Sequence, residues 1–287
     1  MRKKKKLNSF YLTTMGVFLL FVAAFMAIPL VSLISTSLST PKAGGFTFAN
    51  FVTVFTSRLY QLSFINSIML ALQSSVYGIL IALVCSFALT RFASEKTQNN
   101  LLVVVNMTSN FAGMPLAFAL TLMLGNTGMF IILLQGMGID ITDSFSIYSV
   151  QGLVIAYTYF QVPLGIMLLY PIYRGIREDW KEAASILGAS QPQFWLRIGV
   201  PTILPSVLST FTLLFANAMG AYATAYYLVS SSYNLVTIRI GALISGDLRT
   251  KPEIGSALAV TLALVLIVIM LLNDWASKLA ARRGLKT

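Results

Sequence analysis

Residues 182 to 201 form a charged segment, interrupted by Gly and Pro, in a chain that is otherwise largely apolar. Its defining positions are Glu182-Ala183-Ala184, then Gly188, then Ile198-Gly199-Val200-Pro201. The carboxylate of Glu182 can accept hydrogen bonds from a basic partner. The small side chains of Ala183, Ala184 and Ala189 allow the backbone of another protein to come close. These residue types indicate contact with another protein rather than catalysis.

Helix-end patterns in this segment predict two short helices. Asp179 followed three residues later by Glu182 has capping-box spacing, which predicts that the first helix begins at Asp179. Gly188 suits the left-handed backbone conformation that commonly ends a helix. Ser190 with Gln193 repeats the capping-box spacing directly afterwards. The pattern therefore predicts two helices joined by a tight turn at Gly188.

The same segment also fits an interpretation without a protein partner. An amphipathic loop can lie on lipid headgroups, with Phe194 and Trp195 at the interface between lipid and water. Helix-end chemistry alone leaves both interpretations open.

Composition indicates an integral membrane protein. The chain is 57% hydrophobic and 10% charged, and its mean hydropathy is +0.80, so its apolar surface exceeds what a soluble core of this length hides. Crossing roughly 30 Å of hydrocarbon takes about 20 apolar residues as a helix. Six stretches qualify and predict an all-α membrane protein with a single transmembrane domain over residues 1–287: 11–36, 65–90, 101–124, 150–172, 203–229 and 254–273. The first is too long for a removed signal peptide and is interpreted as a retained helix.

The positions of Lys and Arg predict the orientation. Most of them lie in residues 2–6, 91–96, 174–197 and 278–286, which alternate across the predicted spans. Positive segments stay in the cytoplasm, so both termini and the insertion at 174–201 are predicted to be cytoplasmic. The net charge of +11 therefore indicates anionic membrane lipids as partners, and nucleic-acid binding is not predicted.

The amino-acid inventory excludes several chemistries. The chain has no His and one Cys, Cys85, so neither a metal cluster nor an internal disulfide is available. All nine Asp and Glu residues fall in loops or at span ends, which argues against a proton-coupled transporter. The chain also lacks a phosphate-binding loop for ATP. We therefore predict no catalytic, cofactor-binding or metal residues.

The spacing Glu-Ala-Ala, three residues, Gly, nine residues, Ile-Gly-Val-Pro resembles the signature of permease subunits of binding-protein-dependent ABC importers of the type I fold. Val200 stands where that family usually has Leu. The resemblance implies a bacterial inner-membrane permease that is not an enzyme, because a partner subunit binds and hydrolyses the ATP. It implies three kinds of protein partner: a dimer of ATP-binding subunits, a second permease chain that is homologous or identical, and an extracytoplasmic solute-binding protein. The ATPase-coupling residues would be Glu182, Ala183, Ala184, Gly188, Ile198 and Pro201.

In the resembled family the third to fifth spans line the translocation pathway. The polar residues Asn110, Gln161, Asn217 and Tyr222 lie on these spans and are the predicted pathway residues. Residues 217–260 look most like permeases for polyamines, with iron, thiamine and phosphonate systems close behind. The alternative function is a passive channel or a membrane scaffold without transport, in which the insertion recruits a cytoplasmic protein.

Overall fold

The computed structural model describes residues 9–40, 45–92, 94–230, 232–245 and 250–284. The basic residues 2–6 and Lys286, which contribute to the predicted orientation, lie outside this part of the chain. Within it, the helices in chain order are α1 (Ser9–Val22), α2 (Ile28–Ser37), α3 (Ala49–Thr56), α4 (Arg58–Phe92), α5 (Glu95–Ser109), α6 (Met114–Leu124), α7 (Met129–Gly136), α8 (Val150–Arg174), α9 (Glu178–Ile186), α10 (Gln191–Phe194), α11 (Val200–Gly220), α12 (Ala223–Val229), α13 (Val236–Ser245) and α14 (Pro252–Gly284). The described elements are thus α-helical, as predicted, with π-helical turns at Ala23–Ala27 and Trp195–Gly199.

The chain divides into two compact units. The first comprises residues 1–61 and 239–263, and the second comprises residues 62–238 and 264–287. In the first unit, the side-chain amide of Asn50 donates to the carbonyls of Ser37 and Ser39, at 2.9 Å each. These bonds satisfy carbonyls at the end of α2 that have no partner inside the helix.

Six helical stretches of the described chain are long and apolar enough to cross a membrane, which confirms the predicted number. They are Thr13–Ser37, Arg58–Arg91, Met114–Gly136, Val150–Arg174, Gln191–Gly220 and Pro252–Lys278. The prediction of a continuous third span over 101–124 was wrong, because the backbone leaves the helix between α5 and α6. Gly113 there adopts a φ of +74°, which only Gly adopts at little cost. The predicted fifth span, 203–229, also breaks: α11 ends at Gly220 and α12 begins at Ala223.

The core of the second unit is built where α4, α8 and α11 meet. Its buried residues include Ile79, Ala82, Ile166 and Leu214. A Cβ atom added at Gly165 would lie 2.7 Å from the Cβ of Ala82. The absence of a side chain at Gly165 therefore lets the two backbones approach, as is common between helices in lipid.

Replacing Gly165 with Ala is expected to destabilise this unit. The new methyl group meets a Cβ atom fixed to a helix backbone, so the helices must separate, at a cost of about 1–3 kcal/mol. Thermal unfolding of the purified protein in detergent should show a lower midpoint for G165A. The control is G136A, where an added Cβ meets no atom within 4 Å. Equal midpoints for the two variants would show that α4 and α8 are not closely packed at Gly165.

Candidate functional site

The first helix of the insertion begins one residue earlier than predicted. Helix α9 starts at Glu178, and its N-cap residue is Arg177, which makes no side-chain capping bond. The predicted N-cap role of Asp179 was therefore wrong, and Asp179 pairs instead with the guanidinium of Arg177. The two carboxylates of the first turn, Glu178 and Asp179, favour this helix end through its partial positive charge, so a side-chain cap is not required.

The turn after α9 has the predicted left-handed conformation. Gly188 has a φ of +80°. Its N–H donates to the carbonyl of Ser185, and the N–H of Ala189 donates to the carbonyl of Ala184, both at 2.9 Å. These two bonds make a Schellman motif, in which carbonyls at the helix end are satisfied by the residues that reverse the chain.

The second helix begins with the predicted capping box. The side chains of Ser190 and Gln193 each bond to the other's backbone N–H, and the N–H of Ser190 donates to Gln193 Oε1 at 2.8 Å. Helix α10 continues through the π-helical turn Trp195–Gly199 into α11. A Cβ atom at Gly199 would lie 2.4 Å from the Trp195 ring, so the glycine makes room for the indole. Helices α10 and α11 are thereby one continuous helical rod.

The insertion has its own small core. Ala184, Phe194, Ile176 and Ile203 are buried together, and Ala189, Ile198 and Trp195 pack against them. The prediction that Ala184 admits a partner's backbone was wrong, because its small side chain lets α9 approach its own chain. Phe194 is 3% exposed, so it does not lie on lipid headgroups as the alternative interpretation required. Pro201 is half-buried in the first turn of α11.

Glu182, Ala183 and Gly188 are exposed. Beside them lie two large apolar side chains that sequence reasoning missed: Ile186 is 85% exposed and Leu187 is 86% exposed. The sequence does contain a signal for this exposed pair, because two consecutive apolar residues directly precede the turn glycine in an otherwise charged segment. We call Glu182, Ala183, Ile186, Leu187 and Gly188 the α9 tip. An exposed apolar pair beside a carboxylate is typical of a surface that another protein covers.

A pocket of about 330 Å³ lies at the two helix breaks of the second unit. Two of the predicted pathway residues, Asn217 and Tyr222, line it together with Ser109 and Thr224. Asn110 follows Ser109 in the first break, and its side chain donates to the Asn106 carbonyl at 2.9 Å. Asn110, Asn217 and Tyr222 are exposed, and their role in a pathway stays a prediction.

The prediction that Gln161 lies on the pathway surface was wrong. It is 0% exposed, and its Nε2 donates to Ser74 Oγ on α4 at 2.9 Å. The amide joins α4 to α8 inside the core, which is the common use of a polar side chain between membrane helices.

Side-chain hydrogen bonds hold the two breaks together. Thr224 Oγ1 donates to the carbonyl of Gly113 at 3.2 Å, so α12 is joined to the first break. Tyr157 on α8 donates its hydroxyl to the carbonyl of Ala221 in the second break, at 2.8 Å. The Ala221 carbonyl is therefore satisfied by side chains, as interrupted membrane helices require. The Gly113 carbonyl accepts from Thr224 in addition to the N–H of Ala117.

A model of the family described as binding-protein-dependent transport system inner membrane component matches residues 78–283. The chain belongs to this family. It is a multi-pass transport subunit, and ATP hydrolysis in such systems belongs to a separate ATPase subunit. The fold is that of type I ABC importer permeases.

Two curated relatives show how the similarity is distributed. The probable sulfate transport system permease protein cysT of Prototheca wickerhamii is 33% identical over 129 residues, which are 44% of this chain and 50% of that protein. The chain thus matches half the length of that relative. The spermidine/putrescine transport system permease protein PotC of Escherichia coli (strain K12) is 25% identical over 93% of both chains.

Two solved structures share the fold. One is a bacterial alginate ABC transporter in complex with an alginate pentasaccharide-bound periplasmic protein, with a TM-score of 0.74, 17% identity and coverage of 95% of both chains. The other is the MetNI methionine ABC transporter in an inward-facing conformation, with a TM-score of 0.58 and 16% identity. That match covers 77% of this chain and 95% of the other.

Replacing Gly188 with Val is expected to loosen the end of α9. No atom crowds this position, so the effect comes from the backbone, where a non-glycine residue at this φ costs about 1–2 kcal/mol. Hydrogen exchange of the peptide that spans residues 183–190 should be about tenfold faster in G188V. G188N should show a smaller increase, because Asn tolerates the left-handed region. Unchanged exchange in G188V would contradict a turn that depends on positive φ.

Proposed function

We propose that this chain forms part of the translocation pathway of an ATP-driven importer and that its insertion, residues 174–201, docks on a separate ATPase dimer in the cytoplasm. The observation that carries the proposal is the α9 tip: a carboxylate and two exposed apolar side chains held at the end of a rigid turn. A second permease chain, homologous or identical, would complete the pathway. The alginate transporter, which shares this fold, was solved with a periplasmic protein, and this supports a solute-binding protein as the third partner.

The insertion is built to transmit movement of the ATPase. The buried cluster around Phe194 fixes α9 to the start of α11. The rod from Gln191 to Gly220 has no break, so a displacement at the α9 tip reaches the second helix break at Ala221. Closure of the ATPase would therefore change the 330 Å³ pocket between outward-facing and inward-facing forms, and nucleotide hydrolysis would reset it.

The cargo we propose is a small polar or charged solute, with a polyamine favoured. The relative that aligns over 93% of both chains is a spermidine/putrescine permease. The residues that line the pocket include no carboxylate. They do include Tyr222, whose ring stacks on Tyr226 with a centroid distance of 5.2 Å, and aromatic faces attract ammonium groups. The solute-binding protein would then provide most of the selectivity for the transported solute.

Replacing Glu182 with Lys is expected to uncouple transport from ATP hydrolysis. A cation at this position would repel the basic residue that we propose as its partner, at a cost of several kcal/mol. In proteoliposomes that contain the permease, the ATPase and the binding protein, ATP-driven uptake of labelled spermidine should fall at least about tenfold. The protein should still fold, because Glu182 is exposed.

Asp143→Lys is the matched control, since it makes the same charge change at an exposed loop residue outside the insertion. Unchanged uptake in E182K would contradict the coupling role of Glu182. Uptake that persists without ATP would favour the passive channel. ATP-driven uptake of sulfate in place of spermidine would support the importer function but contradict a polyamine as the cargo.

Replacing Leu187 with Ser is expected to weaken docking of the ATPase. Burial of a leucine side chain contributes about 1.5–3 kcal/mol, so recovery of the ATPase subunit with the tagged permease should fall about tenfold or more. The matched control is L196S, which removes a leucine that is 72% exposed elsewhere in the insertion. Equal recovery of the ATPase with L187S and with the unaltered chain would show that the α9 tip is not the docking surface.

A further inference from the structure

A polar cleft of about 540 Å³ lies where the ends of α4, α5, α8 and α9 meet. The charged side chains that line it are four cations, Arg91, Arg174, Arg177 and Lys181, and two carboxylates, Glu95 and Glu178. The cleft is therefore positively charged. It is distinct from the α9 tip, whose residues do not line it.

Two of the four cations already have partners. Lys181 Nζ lies 2.5 Å from Glu178 Oε1, and only 14% of its side chain is exposed. Arg177 pairs with Asp179. In the described part of the chain, Arg91 and Arg174 form no such ion pair. Two guanidinium groups are thus available for an anionic ligand, and guanidinium groups bind phosphate oxygens in pairs.

Contacts between side chains hold the walls of the cleft in place. The rings of Phe87, Tyr173 and Trp195 contact one another, with Phe87 and Trp195 edge to face at 5.4 Å. Tyr170 on α8 donates its hydroxyl to Gln98 Oε1 on α5 at 2.7 Å. The helices that carry Arg91 and Arg174 are therefore fixed relative to each other before any ligand binds.

An apolar groove of about 810 Å³ lies on three of the same helices, α4, α5 and α8. On each helix, one residue of the groove and one of the cleft are seven positions apart in sequence. Seven positions are about two helical turns, or roughly 10 Å along the axis, so the two residues share one helix face. The pairs are Leu80 and Phe87 on α4, Val105 and Gln98 on α5, and Ile166 and Tyr173 on α8. The groove thus leads along the helices towards the cationic cleft.

We propose that this surface binds an anionic phospholipid, with its phosphate at Arg91 and Arg174 and an acyl chain in the groove. A free phosphate would need only the cations, and an apolar helix would need only the groove. An anionic lipid matches both the charge and the apolar length. The excess of Lys and Arg near the cleft also favours the membrane leaflet that is rich in anionic lipid.

Native mass spectrometry of the permease, purified with its co-purifying subunits, can test this assignment. The titrants are phosphatidylglycerol, phosphatidylcholine with the same acyl chains, and inorganic phosphate. Phosphatidylglycerol should bind with the highest affinity. The double variant R91Q/R174Q should bind it about 30-fold more weakly, since each cation near an anionic lipid surface contributes about a fivefold effect.

R197Q is the matched control, because Arg197 is exposed in the same insertion but does not line the cleft. Its affinity for phosphatidylglycerol should stay within about threefold of the unaltered chain. E95Q, which removes a carboxylate from the cleft wall, should bind this lipid several-fold more tightly. If the double variant does not fold, E95Q still tests the proposal, because its expected change is a gain in affinity for phosphatidylglycerol.

Three results would overturn the proposal. Equal losses in R197Q and R91Q/R174Q would indicate diffuse charge attraction without a site. Binding of inorganic phosphate as tight as that of phosphatidylglycerol would assign the cleft to a free anion. Equal affinity for phosphatidylglycerol and phosphatidylcholine would show that the groove alone holds the lipid.

Discussion

The structure depends on one constraint: in hydrocarbon, each backbone N–H and carbonyl must find its partner within the protein. Long helices meet this requirement alone, and five of the six spans have 25 residues or more without a break of the kind seen after Ser109. At the two breaks in the second unit, the carbonyls of Gly113 and Ala221 accept hydrogen bonds from the hydroxyls of Thr224 and Tyr157. Irregular backbone is therefore found where side chains of neighbouring helices can replace the lost helical bonds. This also explains why the pocket and the breaks coincide, since both need polar groups at the same place.

The need to satisfy backbone hydrogen bonds also distinguishes segments that are rigid from segments that can change conformation. The rod from Gln191 to Gly220 continues through the π-helical turn without a break, which favours its movement as one body. At the break the carbonyl of Ala221 accepts two side-chain bonds, one from Tyr157 at 2.8 Å and a longer one from Thr237 at 3.4 Å. Under the proposed function, movement that enters at the insertion would be absorbed at the break, because exchanging one hydroxyl bond costs less than opening a turn of helix.

Much of this architecture could be predicted from the sequence because it depends on local chemistry or on length. Six apolar stretches of about 20 residues indicate six spans wherever they pack. Gly188 and the Ser190–Gln193 pair carry their turn and capping information within a few residues. The helix start at Glu178 was missed by one residue because a carboxylate favours any position of the first turn.

Features that depend on tertiary partners could not be predicted in this way. The breaks at Gly113 and Ala221 rely on Thr224 and Tyr157, which lie 111 and 64 residues away in sequence. The burial of Gln161 depends on the rotation of α8 about its axis, which the position of Ser74 on α4 decides. Ala184 and Leu187, three residues apart on α9, differ from 7% to 86% in exposure, because the cluster around Phe194 covers only one side of the helix.

This one-sided cover gives α9 two different faces within nine residues. Glu178 and Lys181 line the cationic cleft, whereas Glu182 and Leu187 are directed to solvent at the α9 tip. Lys181 is held between the two by its ion pair with Glu178, and most of its side chain is buried. An anion at Arg91 and Arg174 would change the field at this ion pair. Helix α9 would respond as a rigid helix, because the Schellman turn orders its C-terminal end and the Phe194 cluster holds one of its sides. The proposed lipid surface and the α9 tip are thus joined by a single short helix, so binding at one face would contribute free energy to the position of the other.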